Sequence, residues 1–187
     1  MVLSDAEIAR LVRRGELGIE PFEPALLGPA SLDLRLASTF LLFRTARRPY
    51  VDVRLPAEGL YERVEAAPDE PFVLQPGAFA LAATLERLSL PAHIMARVDG
   101  RSSLGRLGVL VHATAGLVDP GFEGRLTLAL SNQAPLPVAL YPGMRIAQLS
   151  FYRLSRPAQV PYGARRRRSK YQGQDAPTPS LIHQDFA

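Results

Sequence analysis

Four stretches of the chain hold side chains whose types and spacing could do chemistry. The first is Arg101-Ser102-Ser103-Leu104-Gly105-Arg106-Leu107-Gly108. Leu104 and Leu107 are three apart, so a single helical turn near 102–107 is predicted to bury both, with Ser102 or Ser103 capping its start. Free backbone N–H groups at such a start, flanked by Arg101, suit a phosphate. Ser102 and Arg106, four apart, share one face of the turn. A capped helical connector with exposed arginines has the same spacing and stays open as the alternative. The second stretch runs from His112 to Phe122 through Gly116-Leu117-Val118-Asp119-Pro120-Gly121. It reads as a strand ending in an acidic turn. Asp at a turn entry usually bonds its own backbone, and His112 reads as an ordinary strand residue.

The third stretch, Arg125–Ser131, alternates cleanly. Leu126, Leu128 and Leu130 point one way, and Thr127, Ala129 and Ser131 the other. Ala129 therefore lies on the polar or ligand-facing side, where alanine is undersized. The fourth, Tyr162 to Gln174, holds Lys170, the one lysine among 22 cationic side chains. A compact ammonium suits phosphate in a tight site, and a lone lysine arising by chance on a solvated stretch stays open as the alternative. The adjoining run Arg165–Arg168 reads plainly as a solvated, mobile basic tail.

The elements that must position these residues are mostly strands. Near the N-terminus Ser4 and Glu7 form a capping box, Ile8, Leu11 and Val12 an apolar stripe, and Gly15 a stop, which predicts a short amphipathic helix. Beyond it, Leu32, Leu34 and Leu36 alternate with Asp33 and Arg35. Pro-Gly pairs at 76–77, 120–121 and 142–143 punctuate the apolar runs Ala78–Thr84, Val109–Ala115, Arg125–Ser131 and Arg145–Phe151. The expectation is one all-β domain over residues 1–187, a jelly-roll or distorted barrel with one helix in front. At 187 residues and 47% hydrophobic it is long enough for a real core.

Composition closes several doors. Cysteine is absent, which excludes disulfides, thiol chemistry and Cys-ligated zinc, and His93, His112 and His183 have no ligand spacing. The formal charge of +4 points to an anionic partner. No segment approaches the ~18 apolar residues of a membrane span. Asp5, Glu7 and Arg10 are unlike the layout of a secretory signal, so a cytoplasmic protein is expected.

Together these stretches resemble the dCTP deaminase family within the trimeric dUTPase-like superfamily. The resemblance is carried by Pro29-Ala30-Ser31-Leu32-Asp33-Leu34-Arg35, Pro76-Gly77-Ala78-Phe79-Ala80-Leu81-Ala82, residues 101–108 and 112–121, Leu140-Tyr141-Pro142-Gly143-Met144, and residues 169–174. It covers most of the chain. It implies a dUTPase-like fold, a homotrimer with sites between subunits, and magnesium bound through the phosphates of dCTP or dUTP, with dTTP as a feedback inhibitor. The chain looks most like the branch that converts dCTP to dUMP, ammonia and diphosphate, because Gly116-Leu117 stands where the deaminase-only branch carries a bulkier His-Arg pair.

The resemblance also implies roles. Arg101, Ser102, Ser103, Leu104, Gly105 and Arg106 would hold the triphosphate, with Ser102 and Arg106 reaching the base and its attacking water. Asp119 would bond the 3′-hydroxyl and help position water for diphosphate release. Backbone groups of Thr127, Leu128 and Ala129 would read the pyrimidine edge. Gln148, Tyr162, Lys170 and Gln174 would contact phosphates or sugar, with residues 162–187 closing as a lid.

One departure matters. The family's general-base glutamate aligns at Ala129, and a methyl group can neither take nor return a proton. Leu128 and Ser131-Asn132 match on either side, so this is a Glu-to-Ala variant rather than a slipped register, and deamination is expected to be deficient. With every other position intact it reads as a substitution that traps a ligand. A naturally silent, non-catalytic nucleotide-binding trimer is the alternative, and a deaminase releasing dUTP stays open. Nucleic acid is a poor fit, because aromatics are 7% and are not interleaved with Arg165–Arg168.

Overall fold

Residues 1–44, 49–57, 59–112 and 115–186 are described by a computed structural model. Helix α1 (Asp5–Arg13) leads into β1 (Gly18–Glu20), β2 (Leu27–Gly28), β3 (Ser31–Phe43), β4 (Tyr61–Glu65), β5 (Phe72–Leu74), β6 (Phe79–Ser89) and β7 (Ile94–Gly100). A four-residue helix, α2 (Ser102–Gly105), precedes β8 (Val109–Val111), β9 (Leu117–Val118), β10 (Glu123–Asn132), β11 (Val138–Leu140) and β12 (Arg145–Arg153). The fold is all-β, as the alternating segments predict. No helix of the described residues is long and apolar enough to cross a membrane.

Ten strands form one curled sheet in the order β8-β10-β6-β3-β12-β7-β9, with β1 on β6 and both β2 and β4 on β3, while β5 and β11 pair separately. Strand β3 makes the curl. Its first half pairs with β12 (Leu34↔Ala147) and its second with β6 (Phe40↔Ala82, Leu41↔Leu81). The leucines of the 32–36 alternation therefore all point inward. Leu32, Leu34, Leu36, Phe40, Leu128, Leu149 and Phe151 are fully buried.

The N-terminal helix keeps half of its capping box. Ser4 Oγ accepts from Glu7 N–H at 3.4 Å, but the Glu7 carboxylate turns to Arg10 (2.8 Å) and to Arg153 of β12 (2.7 Å). The helix is thus tied to the sheet by charge as well as by buried Ile8 and Leu11.

The ladder breaks where β6 meets β10. Arg125 faces Arg87 and Thr127 faces Ala83, so three residues of β6, Thr84-Leu85-Glu86, stand opposite Leu126 alone. Such a break strands backbone polar groups, which must find other partners when buried. Thr84 Oγ accepts from Leu126 N–H (2.9 Å) and donates to the Glu86 carbonyl (2.8 Å). The Glu86 carboxylate accepts from Arg35 N–H (2.8 Å) and from Arg35 Nε (2.7 Å). Both Thr84 and Glu86 are completely buried.

Two outcomes follow from these contacts. Thr84→Val keeps the shape but leaves Leu126 N–H without an acceptor, so chemical denaturation should show a loss of about 1–3 kcal/mol; an unchanged midpoint would contradict it. Arginine hydrogen bonds hold the Glu7 carboxyl down at about 2 against an ordinary 4.5. A depressed carboxyl contributes stability above its unfolded value and loses it as pH falls toward the folded one. Acid titration followed by circular dichroism should therefore show part of the stability lost between about pH 4.5 and 2, and Glu7→Gln should remove that part.

Candidate functional site

A cavity of about 660 Å3 opens beside the break in the ladder. Its floor comes from the half-buried face of β10, Thr127 and Ala129, with Leu126 alongside. One wall is the end of β9 and the turn after it, with Val118 and Asp119. The other is the C-terminal segment, with Tyr162, Arg168, Lys170 and Gln174.

That C-terminal segment is not a free extension. Arg125, at the break, has its N–H bonded to Gln174 O (2.8 Å), and its carbonyl accepts from Gln174 Nε2 (2.7 Å). Gly173 N–H reaches Glu123 O (2.8 Å), and Tyr162 N–H reaches Pro120 O (2.8 Å). Tyr162 Oη accepts from Tyr171 N–H (2.9 Å), and Tyr171 Oη from Leu181 N–H (3.1 Å). Burial pushes the Tyr162 phenol above its ordinary range, so it is neutral at physiological pH. Gly124 permits this approach: its φ is +136°, and a Cβ there would stand 2.7 Å from Gln174 O. A composition reading of a solvated tail misses this, because the partners lie about fifty residues away.

The cavity gathers Asp119, Thr127, Ala129, Tyr162, Lys170, Gln174 and Leu117. Thr127 Oγ is engaged, donating to Gln174 Oε1 (3.3 Å) and accepting from Thr178 N–H (3.1 Å). The Ala129 carbonyl accepts from His112 N–H (2.8 Å). Leu128 is core, completely buried. The Asx-type bond predicted for Asp119 is not formed among the described residues. Its main-chain carbonyl accepts from Phe122 N–H (3.1 Å) instead, which leaves the carboxylate on the cavity wall. Lys170 Nζ is 2.5 Å from Asp185.

Residues 101–106 and Gln148 do not line this cavity. Arg101 and Gln148 stand instead at the β3–β12–β7 junction, where Asp33 lies 3.3 Å from Arg101 and 3.2 Å from Arg145, and Gln148 is registered against Asp33 and Asp99; residues 102–106 follow Arg101 as helix α2 and its end. Helix α2 differs from its predicted form. Arg101, not a serine, occupies the cap position and makes no side-chain cap bond. Leu104 is buried but Leu107 is 58% exposed, because the turn closes at Gly105 and the chain reverses at Gly108 (φ +80°) before Leu107 can turn inward.

Gly116 and Leu117 line a second, adjoining hollow of about 390 Å3. Gly116 is bound to its type: a Cβ would lie 2.6 Å from Val98 O, so a larger side chain would force the loop away. Neighbouring residues 113–114 lie outside the described residues. His112, read from sequence as an ordinary strand residue, sits just beyond β8 with φ +55°, an uncommon conformation for a non-glycine residue. Its Nε2 lies 2.8 Å from Ala115 O, while Nδ1 is buried without a partner.

A curled all-β sheet of this kind is the dUTPase-like architecture. The family model described as dCTP deaminase-like matches residues 2–154. The dUMP-forming dCTP deaminase of Corynebacterium efficiens is 49% identical over 187 residues, covering all of this chain and 97% of that one. The dUMP-forming dCTP deaminase of a Nocardioides species is 50% identical over 186 residues, with 97% of it covered. Among solved structures, the 2′-deoxycytidine 5′-triphosphate deaminase from Agrobacterium tumefaciens superposes with a TM-score of 0.63 at 28% identity, over 80% of this chain and 47% of that one. This chain thus spans less than half of that deaminase. The chain belongs to the dCTP deaminase family.

Gly124→Ala should loosen the C-terminal segment, since both the backbone conformation and the space at Gln174 forbid a methyl. Limited trypsinolysis should then cut within Arg165–Lys170 several-fold faster than in the parent chain. Equal cleavage rates would contradict the role given to the Gly124–Gln174 contact.

Proposed function

We propose that the chain binds a pyrimidine deoxynucleoside triphosphate, dCTP or dUTP with dTTP as a competing inhibitor, in the cavity under its C-terminal segment. The observation that carries this is one carboxylate, Asp119, one ammonium, Lys170, and the small Ala129 gathered on three walls of a single cavity. The names of its relatives supply the substrate class.

In this reading Asp119 holds the 3′-hydroxyl and the water that releases diphosphate, so that dUTP and water give dUMP and diphosphate. Tyr162, Lys170 and Gln174 hold phosphates or sugar, and residues 162–187 serve as the lid. Arg101, Ser102, Ser103, Leu104, Gly105, Arg106 and Gln148 complete the site from a neighbouring copy in a cytoplasmic homotrimer. That assignment is supported by the separation of the two constellations within one chain. Gly116, which tolerates no side chain beside Val98 O, favours the dUMP-forming branch.

Among the described residues no three His, Cys, Asp or Glu side chains come together. A donor set of one carboxylate among cations fits a magnesium ion carried in on phosphate oxygens, not one resident in the protein. Magnesium would neutralise charge on the triphosphate, while the orienting of base and water falls to the residues above.

Deamination requires a proton to be taken from water attacking C4 and delivered to the departing amine. Ala129 can do neither, so the chain converts dUTP but barely releases ammonia from dCTP. A chain silent toward both nucleotides would instead fit the non-catalytic trimer, which Ala129 also favours.

Ala129→Glu should raise ammonia release from dCTP by roughly 10²-fold or more, with dUMP and diphosphate as products. If dUTP accumulates, the deaminase-only reading replaces the coupled one. Normal ammonia release by the parent chain, or none from an Ala129→Glu protein that still binds dCTP, would overturn the assignment of Ala129.

A further inference from the structure

Most of the chain's described arginines stand beside carboxylates. Arg10 and Arg153 are paired with Glu7, Arg35 with Glu86, Arg63 with Glu65, Arg87 with Asp175, and Arg101 and Arg145 with Asp33. Arg13, Arg106, Arg125 and Arg156 stand singly without one, and four more form a consecutive run. Arg165, Arg166, Arg167 and Arg168 are all exposed, and none has a carboxylate within ion-pair distance among the described residues. The nearby acids of the C-terminal segment are already taken, Asp175 by Arg87 and Asp185 by Lys170.

The run is nonetheless held in place by its backbone. Gly163 N–H bonds Ser169 Oγ at 2.7 Å and closes the loop, and Arg167 N–H bonds Ala164 O at 2.8 Å inside it. Tyr162 anchors both flanks, through its own N–H to Pro120 O and through its hydroxyl to Tyr171 N–H. Arg168, at the end of the run, lines the cavity together with Lys170. Uncompensated positive charge therefore stands on an ordered backbone next to Arg168, which itself lines the cavity.

We infer that Arg165, Arg166 and Arg167 form an electrostatic steering surface that captures the polyphosphate of the incoming nucleotide and passes it to the cavity, an inference that rests on the nucleotide reading above. Charge of one sign at a cleft mouth raises association rates by roughly 10–10³-fold, and salt abolishes the gain. The field reaches about 8–10 Å at ordinary ionic strength, which confines it to ligands already near the mouth. A nucleic-acid track would need exposed aromatics for stacking. The loop offers none: Tyr162 and Tyr171 are partly buried, with both hydroxyls committed to backbone N–H groups.

The test is stopped-flow binding of 2′-deoxyuridine 5′-(α,β-imido)triphosphate to the full chain and to Arg165→Ser/Arg166→Ser/Arg167→Ser, at low and at high salt. The triple variant should associate about tenfold or more slowly at low salt and lose most of the salt dependence. The triple lysine variant, which keeps the charge, should restore fast association. Unchanged association and salt slope in the serine variant would overturn the inference while leaving the nucleotide site standing, as would a change in dissociation rate alone. Tight oligonucleotide binding that only the serine variant loses, with nucleotide association unaltered, would also overturn it. Failure of the parent chain to bind the analogue would overturn the nucleotide reading itself, and this inference with it.

Discussion

Leu126 faces three residues of the neighbouring strand instead of one, and much of the molecule follows from that mismatch. Where β6 spends Thr84-Leu85-Glu86 against a single position of β10, the ladder loses its regular bonds. The Thr84 hydroxyl takes up the Leu126 N–H from inside the core, while the Glu86 carboxylate reaches across to Arg35 of β3. The same break frees the backbone of Arg125, and both of its polar groups are taken by Gln174. One irregularity therefore places the floor of the cavity and the segment that covers it. Buried polar groups of this kind are costly to leave half satisfied, and here Thr84 and Glu86 each engage more than one partner.

The site residues fall into two groups. Asp119, Ala129, Tyr162, Lys170 and Gln174 meet around one cavity, whereas Arg101 and Gln148 belong to the β3–β12–β7 junction with Asp33 and Arg145, and Arg106 ends the short helix that follows Arg101. A triphosphate is a long, strongly charged ligand. Under the proposed reading its sugar and base occupy the first group, while the second contributes from a neighbouring copy. The chemistry then divides as well. In that same reading Asp119 serves diphosphate release, and Ala129 lacks the carboxylate that deamination requires.

The regular parts of the fold are legible in the chain. The alternation of Leu32, Leu34 and Leu36, and of Leu126, Leu128 and Leu130, predicts which faces are buried, because a strand's period of two leaves little freedom. The irregular parts are not. Nothing local in Thr84 or Glu86 announces that their polar groups go inward, one to Leu126 of β10 and the other to Arg35 of β3. Leu107 matches the helical spacing of Leu104, yet it is exposed because the helix ends at Gly105, two residues before it. The basic run reads as free tail, since its anchors at Pro120, Glu123 and Arg125 lie about fifty residues away. The candidate cavity residues could be named from motif resemblance, but their division into two groups emerges only in three dimensions.

In the proposed reading a complete site is assembled from both groups on different copies. Chains carrying Arg106→Ala and chains carrying Asp119→Asn, each silent in homogeneous form, can be co-expressed with different tags and the mixed oligomers purified on both. Their conversion of dUTP to dUMP measures the claim directly. Mixed oligomers that regain activity, by pairing an intact Arg106 with an intact Asp119 across an interface, are the predicted result. Mixed oligomers that form and bind nucleotide but stay silent would contradict it.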